Sequence, residues 1–112
     1  MGHLDDHGIS GNLSSGGVLD FEVIANASKG KGKDLFKGMI DDMGVENIKA
    51  IEGNWLYGSN LEAFRKSMAA KLTPEAAAQG TWTGEMARRH GFTKVEVIYD
   101  YGQQVKVIFT RP

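Results

Sequence analysis

Two runs of alternating apolar side chains near the C-terminus constrain the fold more than any other feature of the sequence. The first run is Val95, Val97 and Tyr99, and the second is Val105, Val107 and Phe109. A two-residue period is the signature of a strand with one buried face, and the intervening Tyr101-Gly102-Gln103 is typical of a turn. The pattern predicts a β-hairpin over residues 94–110. It also predicts a second layer that covers the apolar face of that hairpin.

Further strand and helix patterns fill most of the preceding chain. Residues 18–25 alternate with a strand period, residues 47–51 suggest a short strand, and residues 35–43 carry the apolar stripe of an amphipathic helix. Helix start signals recur at Ser59, which has capping-box spacing to Glu62, at Thr73 before Pro74, and at Thr81 or Thr83. We therefore predict an α+β fold with a sheet of about four strands, a C-terminal β-hairpin and three to four helices packed mainly on one face.

The length and composition fit one small domain. A chain of 112 residues can bury a core of its own. Residues 1–17 are rich in Gly and Ser and show no apolar period, so we expect a flexible leader or linker there and a single domain over residues 18–112. The absence of Cys excludes disulfides, thiolate zinc sites and cysteine nucleophiles. No apolar run approaches the roughly 20 residues of a membrane-spanning helix, so we expect no membrane span.

The net charge of -1 is the sum of two unequal halves. Residues 1–55 contain 5 basic and 9 acidic side chains, for a net charge of -4, whereas residues 56–112 contain 8 and 5, for a net charge of +3. A basic half interleaved with aromatic rings suits contact with a phosphate backbone and with bases. Solvated faces around an ordinary core would give the same count.

The first candidate group of site residues follows the short strand predicted at 47–51. It brings together a carboxylate, an amide and two aromatic rings: Glu52, Asn54, Trp55 and Tyr57. Glu52 at a strand end can act as a general acid or base. The alternative is that Trp55 belongs to the core and Glu52 is a solvated strand end.

The second candidate group surrounds the last predicted helix. Thr81, Trp82 and Thr83 stand at its start, where hydroxyls and backbone N–H groups can cradle an anion, and Arg88, Arg89 and His90 stand at its end. His90 can exchange protons near neutral pH. The alternatives are that the threonines cap the helix and that the cations at its end complement the helix dipole.

Nucleotide and metal sites find little support in the sequence. Lys29-Gly30-Lys31-Gly32-Lys33 lacks the spacing of a nucleotide P-loop, which excludes a P-loop triphosphatase. His3 and His7 are spaced by four but lie in the expected leader, which would not hold a metal geometry. We expect neither a metal nor a cofactor.

Several short strings extend to the end of the sequence: residues 52–55 and 57–61, residues 72–77, Thr81-Trp82-Thr83-Gly84, Gly91-Phe92 and the C-terminal stretch 105–112. Together they resemble the C-terminal toxin domains of bacterial polymorphic and contact-dependent growth-inhibition effectors. The resemblance covers about residues 18–112. It implies a domain delivered by a large secreted or cell-surface protein, acting in the cytoplasm of a target bacterium and blocked by a cognate immunity protein. Many such domains are metal-independent ribonucleases that cut transfer RNA or ribosomal RNA.

A ribonuclease of this kind needs an acid, a base, groups around the phosphorane and a ring that stacks on a base. We expect the catalytic residues among Glu52, Thr83, His90 and Arg111, and the substrate-binding residues among Asn54, Trp55, Tyr57, Thr81, Trp82, Arg88 and Arg89. Two alternatives remain open from the sequence. In the first, the chain is a non-catalytic binding module, such as an immunity protein or adaptor. In the second, it is a toxin that acts on nicotinamide dinucleotide.

Overall fold

The computed structural model describes residues 7–25, 31–56 and 58–112, and has the predicted α+β fold. Five strands and four helices lie within these ranges, against about four predicted strands. They are β1 (His7–Leu13), β2 (Val18–Ala25), α1 (Lys31–Met43), β3 (Ala50–Trp55), α2 (Ser59–Ala69), α3 (Pro74–Gln79), α4 (Trp82–Arg89), β4 (Lys94–Asp100) and β5 (Val105–Thr110), with a 3-10 turn at Val45–Asn47. The elements form two compact units, one up to Lys49 and one from Ala50 to Pro112. No helix within the described ranges is long and apolar enough to cross a membrane.

The first unit is an antiparallel β1–β2 hairpin with α1 packed on it. Phe36, Met39 and Ile40 of α1 are buried, and the Phe36 ring meets Phe21 of β2 edge-on at 5.0 Å between centroids. Met43 ends α1 and is followed by Gly44, whose φ of 82° lies in the left-handed region that favours glycine. The basic Lys29–Lys33 run lies partly outside the described residues, and its last three residues begin α1.

Strand β1 lies within the segment for which the sequence predicts a leader. Residues His7–Leu13 pair with β2 over the register His7↔Ala25 to Leu13↔Leu19. Gly and Asn are depleted in strands, so the sequence HGISGNL gives little strand signal. A Cβ at Gly11 would lie 2.5 Å from Met39 Sδ, so a larger residue there would force the Met39 side chain to move.

The second unit is a three-stranded antiparallel sheet in the order β3-β5-β4, covered by α2, α3 and α4. Burial alternates along β5, so Val105, Val107 and Phe109 face inward. The helices cover this inward face: Trp55 of β3 packs on Phe64 of α2 with 5.9 Å between ring centroids, α3 packs on β4, and α4 packs on α2 and α3.

Two strand predictions need correction in the second unit. The short strand predicted at 47–51 runs instead from Ala50 to Trp55, so Glu52 and Asn54 lie inside it and not after it. The hairpin predicted at 94–110 is confirmed, but its register shifts between Val97 and Tyr99. Val97 pairs with inward-facing Val107, whereas Tyr99 pairs with Lys106. Directly opposed residues share a face, so the bulge turns Tyr99 to the outward side of the sheet.

Hydrogen bonds at the helix starts confirm two capping predictions and overturn a third. Thr73 Oγ1 accepts from Ala76 N ahead of Pro74, and Thr81 Oγ1 accepts from Gly84 N. The capping box predicted for Ser59 and Glu62 is wrong. Ser59 is already the first residue of α2, and its N-cap residue is Gly58, which forms no side-chain cap.

Candidate functional site

The outward face of the β3-β5-β4 sheet gathers polar side chains from all three strands. We call this group the polar sheet face; it consists of Glu52, Asn54, Tyr99, Gln104 and Lys106. Neighbouring side chains in a strand point to opposite faces of the sheet. Because Trp55 is buried, Asn54 and Glu52 point outward from β3. Because Val105 is buried, its neighbours Gln104 and Lys106 also point outward. The bulge adds Tyr99, which would otherwise point inward.

A carboxylate and an ammonium group form an ion pair on the polar sheet face. Lys106 Nζ lies 3.7 Å from Glu52 Oε1, and the two side chains are 33% and 21% exposed. Partial burial strengthens a charge pair relative to one in open water, while the remaining exposure leaves both groups accessible to a solute. Glu52 is thus held beside a cation and is still reachable by a substrate.

A glutamine amide from the β4–β5 turn links β3 to β4. Gln104 Nε2 donates to the Tyr99 hydroxyl at 3.0 Å and lies 3.5 Å from Asn54 Oδ1. Lys106 on the central strand β5 pairs with Asn54 on β3 at one side and with Tyr99 on β4 at the other. The amides and the hydroxyl therefore lie on the two strands that flank Lys106, and they offer both donors and acceptors at one place.

The end of β4 and the turn that follows it carry two stacked tyrosines and an ion pair to α2. The rings of Tyr99 and Tyr101 lie 4.7 Å apart with an interplanar angle of 14°. Asp100 accepts from Arg65 of α2 and, through its second oxygen, from Gly102 N at 2.8 Å. Burial alone would raise the pKa of Asp100, but these hydrogen bonds and the Arg65 charge outweigh it, so the pKa is lower than its ordinary value.

The threonines predicted as anion ligands are buried within the helical layer. Thr81 is 1% exposed; its hydroxyl donates to Ala78 O at 2.7 Å and accepts from Gly84 N at 3.0 Å. Thr83 is 2% exposed and bonds to the side chain of Asn60. Both hydroxyls therefore have partners within the chain, and the capping alternative describes the role of Thr81.

The cationic residues predicted as phosphate ligands belong to α4 and to the C-terminus. Arg88 Nη2 donates to Gln79 O at 3.3 Å, and Arg89 pairs with Glu85 of the preceding turn at 2.8 Å. His90 follows the last helical residue, and its backbone N–H donates to Ala87 O. The Arg111 guanidinium lies 4.5 Å from the ring centroid of buried Phe92.

The aromatic residues predicted to stack on a base have different positions. Trp55 is 6% exposed and packs against Phe64, which matches the core alternative. Trp82 is half-buried in the first turn of α4, and Tyr57 lies outside the described residues. Among the predicted site residues that the structure describes, only Glu52 and Asn54 share the polar sheet face.

Sequence reasoning missed three members of the polar sheet face. Lys106, Tyr99 and Gln104 received no specific role, although Lys106 and Tyr99 counted toward the basic, aromatic half of the chain. Lys106 alternates with the apolar residues of β5, so its outward direction was visible in the sequence. The direction of Tyr99 depends on the bulge, for which the sequence carries no clear signal.

Among the described residues, no group of three or more His, Cys, Asp or Glu side chains is placed to hold a metal ion. No known protein family matches the chain, and neither a curated protein nor a solved structure shows significant similarity to it.

Proposed function

We propose that the chain is an antibacterial toxin domain that cleaves transfer RNA or ribosomal RNA without a metal, at the polar sheet face. The observation that carries this proposal is the Glu52–Lys106 pair, a carboxylate 3.7 Å from an ammonium on an accessible sheet surface. RNA cleavage by transesterification needs a base beside a phosphate-binding cation. The resemblance to growth-inhibition toxins, noted from the sequence, points to the same reaction.

In this reaction Glu52 removes the proton from the ribose 2′-hydroxyl. The 2′-oxygen then attacks phosphorus, the bond from phosphorus to the 5′-oxygen breaks, and the departing oxygen takes a proton from solvent. The products are a 2′,3′-cyclic phosphate and a free 5′-hydroxyl. Lys106 neutralises the charge on the non-bridging phosphate oxygens as the phosphorane forms, which is a stabilisation that grows toward the transition state.

The other predicted catalytic residues, Thr83, His90 and Arg111, are given no part in this reaction. Thr83 is buried and bonded to Asn60, and Arg111 rests on the Phe92 ring, so neither is proposed to touch the reacting phosphate.

The resemblance supports delivery as the end of a larger secreted effector, action in the cytoplasm of a target bacterium, and inhibition by a cognate immunity protein.

Induction of the chain in bacterial cells, followed by electrophoresis of total RNA, tests the proposal. Glu52→Gln removes the base while keeping the shape of the side chain. Glu75→Gln is the matched control, because it makes the same charge change at an exposed position of α3. We expect the wild type and Glu75→Gln to arrest growth and to fragment one RNA class, and Glu52→Gln to leave both growth and RNA intact. The purified domain should cleave that RNA in the presence of EDTA.

The same experiment separates the competing functions. Full RNA cleavage by Glu52→Gln would refute the assignment of the base. Growth arrest with intact RNA and depleted nicotinamide dinucleotide would identify a toxin that acts on that cofactor. Unimpaired growth with the wild-type chain would identify a non-catalytic binding module.

A further inference from the structure

The most exposed aromatic ring of the described chain lies at the tip of the β4–β5 hairpin, beside the proposed cleavage site. Tyr101 is 73% exposed, although one of its faces is covered by the parallel ring of Tyr99. The exposure therefore falls on the opposite face and on the ring edges. Two stacked rings that end in an open face form a platform on which a third flat ring can continue the stack.

The hairpin turn holds this platform in place before any ligand arrives. Tyr101 N donates to Gln104 O at 2.9 Å, and Gly102 N donates to Asp100 Oδ1 at 2.8 Å. Asp100 is in turn bonded to Arg65 of α2, so the turn is anchored to the helical layer. A ligand that stacks on Tyr101 orders few new degrees of freedom, which favours binding.

The groups around the platform match the parts of a nucleotide. Gln104 is bonded to Tyr99, whose ring stacks on Tyr101, and the amides of Gln104 and Asn54 can meet the edge of a base. Lys106 pairs with Tyr99 across the strands and supplies a cation for the phosphate. Glu52 lies two residues from Asn54 along β3, a separation of about 7 Å.

We infer that Tyr101 stacks on an unpaired nucleobase of the RNA, and that the substrate is therefore a single-stranded segment such as a loop. This inference rests on the proposed function for the identity of the substrate. In a duplex both faces of every base are covered by neighbours, so a paired base offers no face to Tyr101. A single-stranded base does offer one, and the Asn54 and Gln104 amides can then hydrogen-bond to its edge.

The test is a fluorescence-anisotropy titration of the full chain with a labelled 2′-O-methyl RNA of about ten nucleotides, which lacks the attacking hydroxyl. We expect Tyr101→Ala to weaken binding of the single strand by about 5- to 150-fold, the range for loss of one base–aromatic stack. Tyr101→Phe should stay within about twofold of wild type, since it keeps the ring. Leu72→Ala is the control for removing an exposed apolar side chain, because Leu72 is 44% exposed and lies in the loop between α2 and α3; it should bind as wild type does.

Several outcomes would overturn the inference. They are equal affinity of Tyr101→Ala and wild type, equal affinity for the single strand and for its duplex, and no binding of the single strand. Thermal unfolding of each variant shows whether it has folded. The Glu52→Gln variant is assayed in parallel on unmodified RNA: continued cleavage by that variant would refute the proposed catalytic site, whereas the stacking result depends on Tyr101 alone.

Discussion

Asn60 and Thr83 are joined by two hydrogen bonds that run in opposite directions. Asn60 Nδ2 donates to Thr83 Oγ1 at 3.0 Å, and Thr83 N donates to Asn60 Oδ1 at 3.1 Å. One side chain of α2 thereby satisfies a backbone N–H in the first turn of α4, which has no partner within its own helix. The start of α4, predicted from the sequence as an anion cradle, is occupied by the chain itself.

Replacing Thr83 should therefore affect stability and not catalysis. Thr83→Val keeps the shape of the side chain but leaves the Asn60 amide without its acceptor, which costs about 1 to 3 kcal/mol of unfolding free energy. For a domain of this size each kcal/mol lowers the Tm by about 4 to 8 °C. Circular dichroism melting and an RNA cleavage assay well below the Tm measure the two effects. Lost cleavage with an unchanged Tm would instead restore Thr83 to the catalytic group.

Two helical glycines should respond in opposite ways to substitution by alanine. A Cβ at Gly84 would meet the backbone of α3, including Gln79 Cα at 2.8 Å, and backbone atoms can make room only if a helix moves. We expect Gly84→Ala to lower the unfolding free energy by about 1 to 3 kcal/mol. Gly38 in α1 has open space around its Cβ position, so Gly38→Ala should raise it by up to about 1 kcal/mol. Urea unfolding midpoints of the two variants and the wild type measure these effects. Midpoints that shift in the same direction in both variants would contradict this packing.

The ion pair between Arg65 and Asp100 should make the stability of the fold depend on pH in the acid range. The pKa of Asp100 is lower in the folded chain than its ordinary value of 3.8, so the folded state favours the ionised form. The associated stabilisation is fully present above pH 3.8 and is lost as the pH falls further through the folded pKa. Asp100→Asn should be less stable at pH 6 and should lose less stability on acidification. Urea titrations at pH 6 and at about pH 3 check this. An equal loss of unfolding free energy in the variant and in the wild type would argue against a stabilising Arg65–Asp100 ion pair.

Removing the charge of Lys106 should slow RNA cleavage without unfolding the chain. Lys106→Met keeps the apolar stem but takes the cation away from the phosphate, and we expect cleavage to slow by about 100- to 1000-fold. Lys106→Arg keeps the charge and should retain more activity than Lys106→Met. Single-turnover cleavage in the presence of EDTA provides the measurement. A Lys106→Met rate equal to that of the wild type would remove Lys106 from the proposed mechanism.

Local chemistry explains which elements the sequence predicted correctly. Thr73 before Pro74 and Thr81 before α4 are capping signals read over a few neighbouring residues, and both form the expected hydrogen bonds. The alternation that predicts the β4–β5 hairpin is equally local. Ser59 shows the limit of such signals, because it is the first residue of α2 and not its N-cap. The neighbouring Asn60 accepts a hydrogen bond from the backbone of α4, which the local sequence does not indicate.

The sequence by itself determined the α+β class, the C-terminal hairpin and the starts of α3 and α4, because those depend on residues close together in the chain. Only the tertiary structure decided the membership of the polar sheet face. The start of β3 sets the direction of Glu52, a bulge turns Tyr99 outward, and strand pairing brings Lys106 to Glu52. A shift of one residue in a strand reverses every side chain on it, so the composition of a sheet face follows from register, which the whole fold fixes.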